Sequence, residues 1–169
     1  MNMRTASYWI KTLHLTAHPE GGFFRETYRA DITLSREALP GRYGGKRTAS
    51  TAIYFLLESD QVSVFHRIRS DELWHFYHGS PLDIHMIEKN GAYRTARLGP
   101  DHSKGERFQI VVNHGIWMAA TVVADHSYTL TGCTVSPGFE FSDFELADRE
   151  ILASSFPEHA KIIRMLSHG

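Results

Sequence analysis

The sequence has only one cysteine, Cys133, among its 169 residues. A disulfide within these residues is therefore impossible, a reducing compartment is favoured, and the lone thiol is more typical of a small buried hydrophobe than of a nucleophile. The longest apolar run, residues 115–124, is about half of the roughly 20 residues that a membrane-spanning helix needs. The N-terminal residues also lack the continuous apolar segment of a secretory signal. These absences predict a cytoplasmic protein that makes no contact with a membrane.

The sequence has no excess of charge of either sign. Its 18 Lys and Arg residues are balanced by 19 Asp and Glu residues, which gives a formal net charge of −1. Bulk attraction to nucleic acid is therefore not expected, and a small-molecule ligand is the predicted partner. With 42% apolar residues and no internal repeat, the chain has the composition of an ordinary globular protein. We predict one domain over residues 1–169.

Most of the chain consists of short β-branched and aromatic runs separated by turn residues, which is typical of an all-β sandwich or barrel. We predict strands at 22–30, 50–58, 62–68, 73–79, 82–87, 93–98, 107–112, 117–123 and 128–136. A short helix is predicted around residues 7–13, and apolar spacings of three and four predict short helices within 143–168. The barrel core is therefore expected at about residues 20–142.

Residues 63–79, SVFHRIRSDELWHFYHG, place several metal-binding or acid–base side chains close together in the sequence. A predicted strand, a short turn and a second strand would bring His66 and Glu72 near each other. Because successive residues of a strand face opposite sides, His75 is expected on the side opposite to Glu72.

The spacing in this stretch resembles the first motif of the cupin superfamily. His66, Glu72 and Gly79 stand at cupin positions, whereas Ile68 occupies the position of the second His. Three longer stretches resemble more specifically a subfamily of small bacterial and fungal cupins of unassigned function, over roughly residues 8–147: HPEGGFFRETYR, FHRIRSDELWHFYHGSPLDIH and YTLTGCTVSPGFEFSDFEL. This resemblance implies a jelly-roll barrel, a pocket at the barrel mouth and a homodimer formed through the sheets.

The cupin metal ligands are incomplete in this chain. The resemblance carries over only His66 and Glu72, since Ile68 and Met118 stand where the family has imidazole ligands. Catalytic metals normally keep three protein ligands. We therefore predict no metal and no cofactor; the alternative is a weak metal site on His66 and Glu72, completed by water or His75.

Two classes of function remain open from the sequence. The first is a metal-independent epimerase or isomerase acting on a sugar or sugar nucleotide, with His66 as base and Glu72 orienting it or sharing its proton. Tyr54 or Tyr77 would then be the acid, and Arg25 would hold an anionic group. The second is a non-catalytic binding protein that uses the same pocket. The other predicted pocket residues are Phe65, Trp74, His75, His85, Met118 and Glu140.

A basic, glycine-rich segment follows Leu34 and is either a mobile surface loop or a lid over a site. Its cationic side chains, Arg42, Lys46 and Arg47, are candidates for clamping an anionic substrate. The alternative is that they only keep the loop solvated.

Overall fold

A computed structural model describes residues 4–168. Its helices are α1 (Ala6–Thr12), α2 (Arg149–Ser155) and α3 (Ala160–Met165). Its strands are β1 (Thr16–Ala17), β2 (Phe23–Arg29), β3 (Thr33–Leu34), β4 (Arg47–Thr48), β5 (Thr51–Glu58), β6 (Ser63–Ile68), β7 (Asp71–Gly79), β8 (Leu82–Ile87), β9 (Tyr93–Leu98), β10 (Gln109–Val112), β11 (Trp117–Val122), β12 (Tyr128–Ser136) and β13 (Phe144–Leu146). No helix in this range is long and apolar enough to cross a membrane.

Two antiparallel sheets face each other. One has six strands in the order β1-β2-β5-β12-β7-β10, and the other has five in the order β13-β6-β11-β8-β9. Many neighbours are distant in the sequence, and this Greek-key connectivity makes the sandwich a jelly roll. The predicted all-β jelly-roll fold with short terminal helices is confirmed.

Alternation of side chains explains how the strands build the core. In β8, Leu82, Ile84 and Met86 are fully buried, whereas Asp83 and His85 point to the other face of the sheet. These apolar residues pack against Phe55 and other side chains of the opposite sheet. Each sheet thus supplies one face of a shared apolar core.

The C-terminal segment differs in part from the prediction. Residues 144–146 were expected to be helical, but they form β13, which pairs with β6 and places Phe144 opposite Ile68. Backbone pairing at the sheet edge outweighs the weak local preference for helix. The C-terminal helices follow Asp148, the N-cap of α2, whose carboxylate accepts hydrogen bonds from the amides of Glu150 and Ile151. They cover the outer face of the five-stranded sheet.

Candidate functional site

A cavity lies between the two sheets at one end of the sandwich, with a volume of about 100 Å³. Its walls come mainly from β2, β5, β6, β7, β12 and the segment that follows β12. The lining residues are His18, Glu20, Phe24, Glu26, Arg29, Thr51, Ile53, Phe55, His66, Ile68, Glu72, Trp74, Cys133, Val135, Phe139, Glu140, Phe141 and Phe144. The cavity is therefore mostly apolar and aromatic, with a small set of ionisable groups.

A buried pair of His66 and Glu20 forms the main polar feature of this cavity. The Nδ1 of His66 lies 2.8 Å from the carbonyl oxygen of Val64, which can only accept, so Nδ1 carries the proton. The Nε2 of His66 lies 3.1 Å from Oε2 of Glu20. The other oxygen of Glu20 accepts a 2.9 Å hydrogen bond from the hydroxyl of Ser63. Glu20, rather than the Glu72 expected from the sequence, is thus the carboxyl group in direct contact with the His66 ring.

The turn that carries Glu20 is fastened closely to β6. Gly21 has φ of +107°, and a Cβ at this position would lie 2.2 Å from the carbonyl oxygen of Val62. The amide of Val64 donates a 2.9 Å hydrogen bond to the carbonyl oxygen of Glu20. Only glycine allows both the backbone conformation and this close approach. The turn therefore fixes Glu20 beside His66.

Glu72 forms a second polar centre in the cavity. Its Oε2 accepts a 3.1 Å hydrogen bond from the indole Nε1 of Trp74, and its carboxyl group also bonds to the thiol of Cys133. The register of β7 and β12 places Cys133 opposite Trp74, so both face the cavity. Burial raises the pKa of the Cys133 thiol well above its usual value, so this thiol is protonated.

Burial moves the ionisation of the two carboxyl groups toward neutrality. It raises the pKa of Glu20 to about 8, against the opposing effect of the Ser63 hydrogen bond. It also raises the pKa of Glu72 to about 7, where His66 acts in the opposite direction. A carboxyl group with a pKa near 7 can both give and accept a proton at physiological pH. Glu20 is mostly protonated at that pH, and its proton is available to the Nε2 of His66.

Burial has the opposite effect on the two histidines. It lowers the pKa of His66, and it lowers the pKa of His18 to about 4, with His66 adding to the second shift. The Nδ1 of His18 accepts a hydrogen bond from the amide of Glu20. The His18 ring packs against the Phe24 ring in a T-shaped arrangement, with 4.6 Å between the ring centroids. Both imidazoles are therefore neutral near pH 7.

The mouth of the cavity is held by an ion-pair network at Arg29. Its guanidinium binds both carboxylate oxygens of Glu26, at 3.0 and 2.8 Å, and lies 2.9 Å from Oε1 of Glu140. It also donates to the carbonyl oxygen of Phe139. One cation and two carboxylates leave the mouth with a net negative charge.

An aromatic segment from Phe139 to Phe144 covers one side of the cavity. It is anchored from behind by Asp143, which binds the guanidinium of Arg47 through two hydrogen bonds of 2.6 Å. The side chains of Arg47 and Asp143 are 6% and 1% exposed, so this ion pair is buried. Arg47, which the sequence offered as an anion clamp, is thus used to fix the cavity wall.

Four of the predicted site residues line the cavity: His66, Glu72, Trp74 and Glu140. Tyr54 and Tyr77 do not. In β5 the neighbours Ile53 and Phe55 face the cavity, so Tyr54 faces the outside of the six-stranded sheet, where it contacts Tyr77 edge to face at 6.0 Å. Neither phenol is in a position to act as the acid in this cavity.

The other predicted residues also lie elsewhere. Arg25 stacks over the outward-facing Tyr54, with 5.8 Å between the guanidinium carbon and the ring centroid. His75 bonds to Thr134 and Gln109, and His85 bonds to Tyr93 and Thr121, on the outer faces of the two sheets. Phe65 packs against the C-terminal helices, and Met118 is buried in the core beside His66 without lining the cavity.

Sequence reasoning missed Arg29 and did not single out Glu20 or His18 as partners of His66. A signal for the second pair was present in His-Pro-Glu-Gly-Gly, because adjacent glycines mark a close backbone approach. No feature of the sequence around Arg29 indicates that its side chain reaches the cavity. A register shift in β2 after Glu26 changes the alternation, so that Glu26 and Arg29 both reach the cavity.

The cavity residues do not fit a catalytic metal. Ile68 and Met118 occupy two of the positions at which cupins supply ligands, and both nitrogens of His66 already have protein partners. Within residues 4–168, no three His, Cys, Asp or Glu side chains are arranged to hold a metal ion. The donor set is instead suited to proton exchange.

Comparison with known proteins agrees with this fold. A Shewanella oneidensis protein of known crystal structure is 40% identical, with a TM-score of 0.88 over 98% of this chain and 99% of that one. A hypothetical protein from Leishmania major is 34% identical, with a TM-score of 0.90 and the same coverage. A protein of Saccharomyces cerevisiae, described as uncharacterized, is 28% identical over 94% of this chain and 84% of its own length.

A family profile described as "Cupin superfamily (DUF985)" matches residues 7–147. This range contains both sheets and every residue that lines the cavity. The match covers most of the chain, and this protein therefore belongs to that family of the cupin superfamily.

Proposed function

We propose that this protein is a metal-independent epimerase or isomerase that moves a proton on a small neutral sugar. The observation that carries the proposal is the pairing, within one apolar cavity, of Glu72 with the His66–Glu20 pair. Burial brings the pKa of each carboxyl group close to neutral pH, as general acid–base catalysis requires.

The two centres have complementary roles in such a reaction. The carboxylate of Glu72 takes the proton from a carbon next to the sugar carbonyl, and the electron pair of that C–H bond moves onto the carbonyl oxygen. The protonated carboxyl group of Glu20 donates its proton to that oxygen and gives an enediol, while the Nε2 of His66, 3.1 Å from Oε2, holds the carboxyl group in place. Glu72 then returns its proton to the neighbouring carbon or to the other face of the enediol, and the Glu20 carboxylate takes a hydroxyl proton as the carbonyl re-forms, which gives the isomer or the epimer. No oxidant or reductant is consumed.

The size and charge of the cavity favour a monosaccharide over a sugar nucleotide. Its volume of about 100 Å³ is smaller than the roughly 300–1,000 Å³ of pockets that enclose drug-sized ligands. The mouth carries the carboxylates of Glu26 and Glu140 against the single guanidinium of Arg29. A phosphate group would be repelled there, whereas the aromatic wall suits the apolar face of a sugar ring.

The proposal is tested by proton exchange in D₂O. The protein is incubated with a panel of aldoses and ketoses, and loss of the C–H signal next to the carbonyl is followed by NMR. We expect exchange with at least one sugar, and at least about 100-fold slower exchange in Glu72→Gln. Glu150→Gln, on the exposed face of α2, is the matched control and should exchange at the unchanged rate. Equal rates in all three proteins would refute the role of Glu72.

Measuring exchange after treatment with a chelator distinguishes metal-independent proton transfer from a metal-dependent reaction. Because the donor set does not fit a metal, exchange should survive dialysis against a chelator. Loss of exchange, with recovery on adding a divalent metal, would overturn the metal-independent assignment. Saturable sugar binding without exchange would identify a non-catalytic binding protein instead.

We also infer that the protein forms a homodimer through the outer face of the six-stranded sheet. This face exposes large apolar side chains: Tyr28, Tyr77, Phe108 and Val111 are 48–55% exposed. Large apolar side chains exposed on one sheet face are typical of an interface. Light scattering after gel filtration should give twice the chain mass of 19.2 kDa, and a monomer would contradict the inference.

A further inference from the structure

A second concave site lies on the other side of the wall formed by Ile68 and Phe144. We infer that this site, the basic cleft, binds the phosphate group of a small phosphorylated molecule. It has a volume of about 620 Å³ and is lined by Arg42, Arg67, Ile68, Arg69, Lys89, His114, Gly115, Ser142, Asp143, Phe144 and Glu145. This volume lies within the range of small-molecule sites. The inference does not depend on the reaction proposed for the cavity.

Both carboxylates in the lining of the basic cleft are already paired with a guanidinium group, one from outside the cleft and one from within it. Asp143 accepts two 2.6 Å hydrogen bonds from the Nε and Nη2 of the buried Arg47. Glu145 binds Arg67 through two hydrogen bonds, of 2.8 and 3.0 Å. Cations in the cleft that remain after this pairing have no strong internal partner and are available to an external anion.

Three cations remain: Arg42, Arg69 and Lys89. Arg69 reaches no closer than 3.8 Å to Asp143, which Arg47 already occupies. Within residues 4–168, Arg42 and Lys89 have no carboxylate within ion-pair distance; Arg42 acts electrostatically on Asp71, whose carboxylate lies 2.9 Å from the Nδ1 of His114.

The backbone brings these three cations together from distant segments. The Nε of Arg42 donates a 2.8 Å hydrogen bond to the carbonyl oxygen of Arg69. The amide of Gly115 donates a 2.8 Å hydrogen bond to the carbonyl oxygen of Ile68, the neighbour of Arg69. Lys89 extends over Gly115, where a Cβ would lie 3.2 Å from its Cε and 3.7 Å from its Nζ. The end of β6 therefore organises a cluster of cations from three parts of the chain.

The chemistry of the cluster favours phosphate as the ligand group. Two guanidinium groups and an ammonium supply several charge-assisted donors, which suit the three oxygens of a phosphate better than a single carboxylate. The hydroxyl of Ser142 adds a neutral donor on the same surface. The concave shape favours a small phosphorylated molecule over an extended polyanion.

The test uses pyrophosphate and inorganic phosphate as probes on the full chain. Backbone amide spectra are recorded during titration, with sodium chloride at matched ionic strength as the reference. We expect saturable shifts confined to residues 42–44, 67–69, 89 and 114–115. Absence of saturable shifts, or the same shifts with chloride, would overturn the inference.

Charge variants decide whether the basic cleft itself is responsible. Arg69→Gln and Lys89→Gln change exposed side chains, so both should keep the folded amide spectrum and weaken pyrophosphate binding by about tenfold each. Lys161→Gln removes one exposed charge from α3 and should change the affinity less than twofold. An equal loss in all three variants would show bulk electrostatics and refute the site.

Binding of a short single-stranded RNA is measured last, as a test for a polyanion site. Tight RNA binding with no pyrophosphate binding would refute a small-molecule site. Failure of the cleft to bind phosphate would leave sugar exchange in the cavity unaffected, so the two proposals fail separately.

Discussion

The Nε2 of His66 faces the Oε2 of Glu20 at 3.1 Å inside an apolar cavity. Water is largely excluded from both groups, whose side chains are 3% and 7% exposed. The low local polarity disfavours every charged form, so an acid and a base persist side by side in their neutral forms near pH 7. This arrangement leads to a measurable dependence of stability on pH.

We expect the free energy of unfolding to fall as the pH rises from 6.5 to about 8. The folded pKa values of about 8 for Glu20 and about 7 for Glu72 lie above the unfolded value of 4.5. Their contribution is complete below pH 4.5 and is lost as the pH rises through the folded values. His18 and His66 have lowered pKa values and act in the opposite sense, but only below their unfolded value of 6.5.

Above pH 6.5 the contribution of the histidines fades, and each carboxyl group should cost about 1.4 kcal/mol per pH unit until the pH reaches its folded pKa. Urea unfolding at pH 6.5 and at about pH 8 measures this slope. Glu20→Gln should flatten it, since the amide does not titrate. A slope that is unchanged in the variant would show that Glu20 ionises normally.

Asp143→Asn should destabilise the protein by about 3–5 kcal/mol, because it leaves the buried guanidinium of Arg47 without a counter-charge. The matched control is Glu145→Gln, which breaks the exposed ion pair with Arg67. The side chains of Arg67 and Glu145 are 40% and 55% exposed. That change should cost no more than about 1 kcal/mol. Both values come from urea unfolding, and similar losses would contradict a special role for the buried pair.

Gly21→Ala should destabilise the protein by more than about 2 kcal/mol, since it adds a Cβ 2.2 Å from a backbone oxygen at φ of +107°. Gly41→Ala is the control, because a Cβ there has nothing within 4 Å. That substitution should change stability by less than about 0.5 kcal/mol. Thermal unfolding of the two variants gives the comparison. An unchanged stability of Gly21→Ala would contradict the close approach of this turn to the carbonyl oxygen of Val62.

Cys133 should resist alkylation in the folded protein. Its side chain is buried, and burial raises its pKa, so almost no thiolate is present near pH 8. Modification by iodoacetamide, followed by mass spectrometry, should become rapid only in denaturing urea. Fast modification of the native protein would show that the cavity opens readily to solvent.

The strands were predictable from the sequence because each is a short local pattern bounded by turn residues. Predicted strands at 93–98 and 128–136 match β9 and β12 in full, and the motif around His66 and Glu72 pointed to the right pair of strands. Composition and local alternation act over a few residues, and that range is enough to specify a strand. The helix expected over 144–146 was wrong because its fate depended on a distant partner, β6.

Only the tertiary structure decided which side chains meet. The run TAIYFLLE of β5 is apolar on both faces, so its pattern does not tell whether Tyr54 or its neighbours face the cavity. Glu20 reaches His66 through a turn fastened to β6, and a register shift in β2 brings Arg29 to the mouth. The sequence by itself determined a jelly-roll cupin with polar groups in its barrel. The partners of those groups were set by long-range packing and close backbone contacts, which local pattern does not encode.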